Sequence, residues 1–257
     1  MADFRNYQAG MTTAGARADA AIDQGLRAYM IRVYNLMAMG LAITGIAALG
    51  TVWLATDPSS AVATLPNGKT LTNFGVMLYT SPLRWVIMLA PLAMVFFLSF
   101  RVEKMSLSAA QATFWGFAAL MGVSMSSIFL VYTSGSIVQT FFITATAFMA
   151  LSLFGYTTKR DLTGMGSFLI MGVWGLLLAM IVNIFLQSSA LQFAISAIGV
   201  LIFAGLTAYD TQQIKEMYYE GDGALVAGRK AIMGALRLYL DFINMFMFLL
   251  QFLGNRE

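Results

Sequence analysis

Residues 238–253 read LYLDFINMFMFLLQFL: leucine, phenylalanine, methionine and isoleucine with one carboxylate, Asp241, set among them. Extended back to residue 230, the run is long enough to cross a bilayer as a helix, which needs about 20 apolar residues. A carboxylate at membrane depth costs about 2.5–3.5 kcal/mol on insertion scales. The fold therefore turns on whether the rest of the chain has the same character. The function turns on what offsets the cost of Asp241.

The rest of the chain does have that character. Of its 257 residues, 59% are hydrophobic and 11% charged, and the mean hydropathy is +0.76. A soluble domain carries about 25% charged residues, and a disordered chain is poor in apolar ones. The composition points to an all-α, polytopic membrane protein. With no cysteine and no histidine, disulfides, thiolate metal sites and the commonest metal ligand are excluded. No bound cofactor is expected. The net charge of +3 is small, and basic residues in a membrane protein report orientation before nucleic-acid binding, so no nucleic-acid partner is expected.

Seven segments are apolar enough to span: 32–55, 84–100, 109–132, 137–156, 167–187, 191–209 and 230–253. Ser81-Pro82 marks a helix start, because proline suits the first helical turn. Pro91 is placed to kink the second span, which membrane helices tolerate. The connection 56–83 contains PNG and reads as a turn-rich loop. Residues 1–31 are polar, lack the apolar core of a secretory signal, and read as a soluble N-terminal tail. Residues 32–254 form the membrane domain. Glycine and other small residues recur in the spans, GLAITGIAALG for example, where they allow close helix packing.

Lys and Arg fall unevenly about these spans. Arg5, Arg17, Arg27, Arg32, Arg101, Lys104, Lys159, Arg160, Lys215, Arg229 and Lys230 lie on one side, against Lys69, Arg84 and Arg256 on the other; Arg237 lies within a span. The excess places the N-terminus in the cytoplasm and, with an odd number of spans, the C-terminus outside. A bacterial inner membrane is the expected location, with a mitochondrial inner membrane as the alternative.

Two acids of the chain stand in or at the end of spans. Asp210 ends the sixth, in LIFAGLTAYDTQQIKEMYY, and Asp241 lies in the seventh. Both fall in the half of the membrane nearest the cytoplasm. On the seventh span Gly234, Arg237, Asp241, Asn244 and Gln251 occupy an arc of about 100°; on the sixth Ser196, Gly199, Thr207, Asp210 and Gln213 fall within about 120°. Two such stripes are expected to face each other or a wet cavity. Arg237, one turn before Asp241 on the same face, can offset its charge. Arg101, where the second span ends, is the other candidate, towards Asp210.

Two neighbouring carboxyls cannot both ionise freely, and they titrate as one unit. They offer a pH-responsive site without histidine and a place for a divalent cation. Calcium prefers six to eight oxygens, and two aspartates supply at most about four. That suits weak transit of calcium rather than storage. Catalysis is not expected. No HExxH or GxxxxGK[ST] is present, a serine nucleophile would lack a histidine base, and the seventh span has no central lysine for a Schiff base. An aspartyl protease dyad is conceivable in chemistry, but neither AYD nor LYLD matches a GxGD setting.

FAGLTAYDTQQIKEMYY together with ALRLYLDFINMFMFLLQFLG is very similar to the last two helices of the Bax inhibitor-1 family. The likeness is strongest over 200–254 and extends to SPLRWVIMLAPLAMVFFLSFR in the second span. The resemblance implies seven helices, with a central seventh wrapped by the other six. It also implies a pH-dependent calcium leak, with Asp210 and Asp241 as the sensor pair and Arg101 as a latch on Asp210. Some bacterial relatives restrain a membrane-embedded ATP-dependent protease. Arg237 is a departure, since not every member has a cation beside the second aspartate.

Three readings follow. In the first, the chain is a pH-sensitive calcium leak in which protons and calcium meet at Asp210 and Asp241. In the second, it regulates a membrane protease through its tail and loops without transporting anything. In the third, the charges are struts between helices.

Overall fold

The computed structural model describes the backbone of residues 2–256 and the side chains of residues 24–256. In hydrocarbon a backbone N–H or C=O has no water to bond, so a spanning segment must satisfy itself as a helix. Seven helices meet that requirement by length and hydropathy, and the chain is an all-α, multi-pass membrane protein.

Helix α1 covers Ala2–Ala55, and its spanning part is Gln24–Ala55. A short helix α2 (Asn73–Tyr79) precedes α3 (Leu83–Arg101), which runs through Pro91. Helix α4 (Leu107–Met125) is continued by the single turn α5 (Ile128–Val131). Then come α6 (Ser134–Thr157), α7 (Thr163–Leu186), α8 (Ser189–Glu216) and α9 (Ala224–Leu253). The first span thus begins at Gln24 rather than 32. The polar tail expected over 1–31 lies, through residue 23, outside the described side chains.

Local chemistry sets several ends. Ser106, Thr133 and Ser188 cap α4, α6 and α8, accepting from Ala109, Ser136 and Leu191 N–H. Such hydroxyls satisfy amides that have no partner within the helix. Helix α7 stops at Gln187, the one non-glycine residue with positive φ (48°) among those described. Asn183 closes the turn, its carbonyl accepting from Gln187 N–H at 2.8 Å and its side chain from Ser188 N–H at 3.0 Å.

The loop 56–83 is more ordered than turn content alone implies. Strands β1 (Ala61–Thr64) and β2 (Thr70–Thr72) pair antiparallel about the PNG turn, where Gly68 takes φ +82°. Asn67 and Lys69 donate to the carbonyls of Leu130 and Phe129, pinning this hairpin over the end of α5.

The burial of the helices is graded. In the most apolar window of α9, 72% of residues are buried, against 39% in α4 and α8 and 17% in α3 and α7. Helix α9 packs on α1, α4, α6 and α8, while α3 lies chiefly on α4 and α7 on α8. Small residues permit the closest crossings. At Gly155 any side chain would strike the backbone of Ala208, and at Gly122 it would meet Thr44 and Ala47. Buried hydroxyls then tie helices together. Tyr239 OH donates to Thr44 Oγ1 (2.7 Å), and Thr44 donates to the Ala118 carbonyl (2.9 Å), joining α9, α1 and α4.

Candidate functional site

The polar stripes of α8 and α9 meet face to face. Gly234 stands against Ile214, and Gly199 admits the ring of Phe248, which would lie 2.6 Å from an added Cβ. Near one end Ser196 Oγ donates to Gln251 Oε1 at 3.3 Å. At the other end the carboxyls of Asp210 and Asp241 adjoin one another, close enough to interact directly, and the Arg237 charge acts on both. Only a protonated carboxyl can donate, so a hydrogen bond between the two groups requires one proton shared between them.

The charge balance explains how the pair tolerates its depth. Two carboxyls sharing one proton carry a charge of −1, and Arg237 supplies +1. The cluster is neutral as a whole, which lowers the cost of burying it. Access is unequal within the cluster. Asp241 is 4% exposed, Asp210 is half-buried, and Arg237 is exposed. Arg237 belongs to a less buried stripe of α9 that also carries Met233, Leu240, Asn244 and Met247. Asp241 Oδ2 has no donor among the described residues other than a protonated Asp210. A buried carboxylate oxygen is costly to leave unpaired, which ties the state of Asp241 to the proton.

The other residues singled out from sequence take different places. Arg101 ends α3 with an exposed side chain, and among the described residues it pairs with neither aspartate. Arg237 is the cation beside the pair. Thr207 donates to its own helix at Phe203 O (2.8 Å), and Asn244 to Leu240 O (2.8 Å). Neither therefore spends its donor on the carboxyls. No cluster of three or more metal-ligating side chains occurs among the described residues. A calcium ion at the pair would complete its shell with water and backbone oxygens.

Sequence reasoning missed a chain of hydroxyls beside the pair. Tyr34 OH on α1 lies 2.6 Å from Ser152 Oγ on α6, which lies 2.9 Å from Thr211 Oγ1 on α8. Thr211 immediately follows Asp210. Gln212, the next residue, clamps the connection before α7, accepting from Leu162 N–H and donating to the Arg160 carbonyl, each at 2.8 Å. Lys215 donates to the Tyr156 carbonyl at 2.9 Å. The helix turn that carries Asp210 is thus held on both flanks. Across from it, Arg229 donates to the Met105 carbonyl, and Lys230 pairs with Asp222 at 2.5 Å, fixing the start of α9.

The family model described as inhibitor of apoptosis-promoting Bax1 matches residues 26–257. The chain belongs to the Bax inhibitor-1 family. Its relatives within the family are similar along their whole length. An uncharacterized protein of Rickettsia prowazekii is 46% identical over 252 residues, covering 98% of this chain and 99% of the relative. One from Caulobacter vibrioides is 48% identical over 244 residues, 94% of each. The inner membrane protein YbhL of Escherichia coli K12 is 43% identical over 235 residues, 91% of this chain and 94% of the relative.

Proposed function

We propose that this protein is a pH-sensitive calcium leak of a bacterial inner membrane, with its N-terminus in the cytoplasm. Protons and calcium compete for the carboxyl pair. The observation that carries this reading is the close approach of the Asp210 and Asp241 carboxyls at membrane depth, beside an exposed Arg237. A strut needs only a fixed contact. A pair of carboxyls that holds one proton changes its charge when the proton leaves, and the change creates a cation site. The site works by electrostatics and involves no bond-making, so the proposed activity is transport rather than catalysis. Placement in an inner membrane is supported by the name of the Escherichia coli relative, and the orientation by the excess of Lys and Arg on the tail side.

The proton leaving the pair turns a net charge of −1 into −2. That raises the attraction for a divalent cation in a site of low polarisability. With two protein ligands of at most about four oxygens, binding stays weak enough for the ion to leave. Arg101, exposed at the end of α3, is assigned a separate closed arrangement in which it latches Asp210. The test is calcium entry into liposomes containing the purified protein, scanned from acidic to alkaline pH, with Asp241→Asn alongside. Flux should vary with pH in the wild type and become flat in the variant. An identical pH profile in both would overturn the reading. Absence of flux at any pH in both would do the same, and would favour regulation of a membrane-embedded protease.

A further inference from the structure

Helices α1 and α6 each pack on α9, yet their main contacts are with other helices rather than with each other. The seam between them holds a cavity of about 600 Å³ that runs from Arg27 to Leu41 on α1 and along Ala145, Ser152 and Tyr156 on α6. A second cavity of about 450 Å³ continues towards Phe129 and shares Ala38, Leu41 and Phe242 with the first. Exposed Ile31, Met149 and Leu153 flank the first cavity on the lipid side.

We propose that this seam is a binding site for one acyl chain of an anionic phospholipid from the leaflet on the Arg27 side, with Arg27 holding its phosphate. Four observations support that occupant.

The first is width. The fourteen residue-to-residue steps from Arg27 to Leu41 rise about 21 Å as a helix. A cavity of 600 Å³ over that length leaves a cross-section of about 29 Å², or about 6 Å across. A partner helix, about 10 Å across, does not fit, whereas a single hydrocarbon chain does.

The second is length. Half the hydrocarbon core is about 15 Å, so a chain entering at the Arg27 end reaches most of the first cavity without leaving its leaflet.

The third is dryness. The polar atoms at the floor are paired with each other, Tyr34 OH with Ser152 Oγ at 2.6 Å and Ser152 Oγ with Thr211 Oγ1 at 2.9 Å. They offer water little, and apart from Arg27 and Tyr156 the remaining lining is apolar.

The fourth is charge. Arg27 is exposed at the mouth and makes no ion pair among the described residues. A second cation, Lys215, lies 5.3 Å from the ring of Tyr156, which lines the cavity. This site is independent of ion transport at the carboxyl pair, although Thr211 links its floor to the turn bearing Asp210.

The experiment is native mass spectrometry of protein released from nanodiscs of equal phosphatidylglycerol and phosphatidylcholine. The wild type should retain one phosphatidylglycerol, with about fivefold preference over phosphatidylcholine, the factor that one cation near the surface supplies. Arg27→Gln should retain one lipid without preference. Ala145→Trp, which fills the seam, should retain none, and its circular dichroism shows whether it folds; if it does not, Arg27→Gln alone decides. Three results overturn the proposal. One is equal retention of the two lipids by the wild type. Another is an unchanged preference in Arg27→Gln. The third is the loss of a co-purifying polypeptide, rather than of lipid, from Ala145→Trp.

Discussion

The interface between α8 and α9 carries two polar clusters, and they are built on opposite plans. At the hairpin end Asn183, Gln192, Gln251 and Ser196 form a neutral chain. Asn183 donates to Gln192 (3.1 Å), and Gln192 and Ser196 both donate to Gln251 Oε1 (2.7 and 3.3 Å). At the other end Asp210, Asp241 and Arg237 form a charged cluster in which Asp241 Oδ2 lacks a donor unless Asp210 is protonated. Between them Gly199 and Phe248 close the interface. The neutral cluster joins helices without a proton that can come and go, so it stays the same at every pH near neutrality. The charged one is satisfied only in some protonation states. On the proposed reading, the difference separates a strut from a switch within a single helix pair.

Substitutions can break this contrast from either side. The largest effect belongs to Asp241→Asn, which should flatten the pH profile of calcium flux. Next is Arg237→Gln. It removes the positive charge beside the pair, so the midpoint of the flux curve should move along the pH axis. The measurement is the midpoint of flux against pH in liposomes, and a midpoint that stays put would detach Arg237 from the site. The smallest effect on flux belongs to Gln251→Leu. It strands the Gln192 side-chain donor, while Ser196 keeps the Gln192 carbonyl, and should cost about 1–2 kcal/mol of stability. It should lower the thermal midpoint in detergent while leaving the flux midpoint unchanged. A shifted flux midpoint would show that the two clusters are coupled, and the contrast would fail.

The fold was legible because charge is scarce in this chain. Most spans could be bounded by where Lys, Arg, Asp and Glu resume, and the uncharged connections at 133–136 and 188–190 by their serines. That same rule displaced some ends. Helix α1 spans from Gln24, because Arg27 and Arg32 ride on the helix as it nears the membrane surface. Helix α8 continues to Glu216, because Gln212 and Lys215 bond to the backbone of the connection and of α6. Helix α9 begins at Ala224, with Lys230 paired to Asp222 rather than ending the helix. The hairpin of 61–72 was read only as turns, since its strands are three or four residues long and show no alternation.

Within the site, Asp210, Asp241 and Arg237 were visible as charges in apolar surroundings. The two stripes predicted from helical angles do meet. The hydroxyl chain from Tyr34 through Ser152 to Thr211 was not visible. Most hydroxyls in these helices donate to their own carbonyl four residues back, as Thr144, Thr146 and Thr207 do. Nothing in sequence distinguishes those from the few that bridge three helices. Arg101 is the opposite case. It has the right place at the end of α3, but the end of a helix does not specify which neighbour its side chain meets.

The central claim is that Asp210 and Asp241 act as one titrating unit. The most direct test compares the pH dependence of calcium flux in Asp210→Asn, in Asp241→Asn and in the double variant. A shared proton predicts that either single substitution removes the pH dependence as completely as the double one, since the effects of groups that act as one unit do not add. A graded loss, with each substitution removing a separate part and the double variant their sum, would contradict the account and make the two carboxyls independent groups.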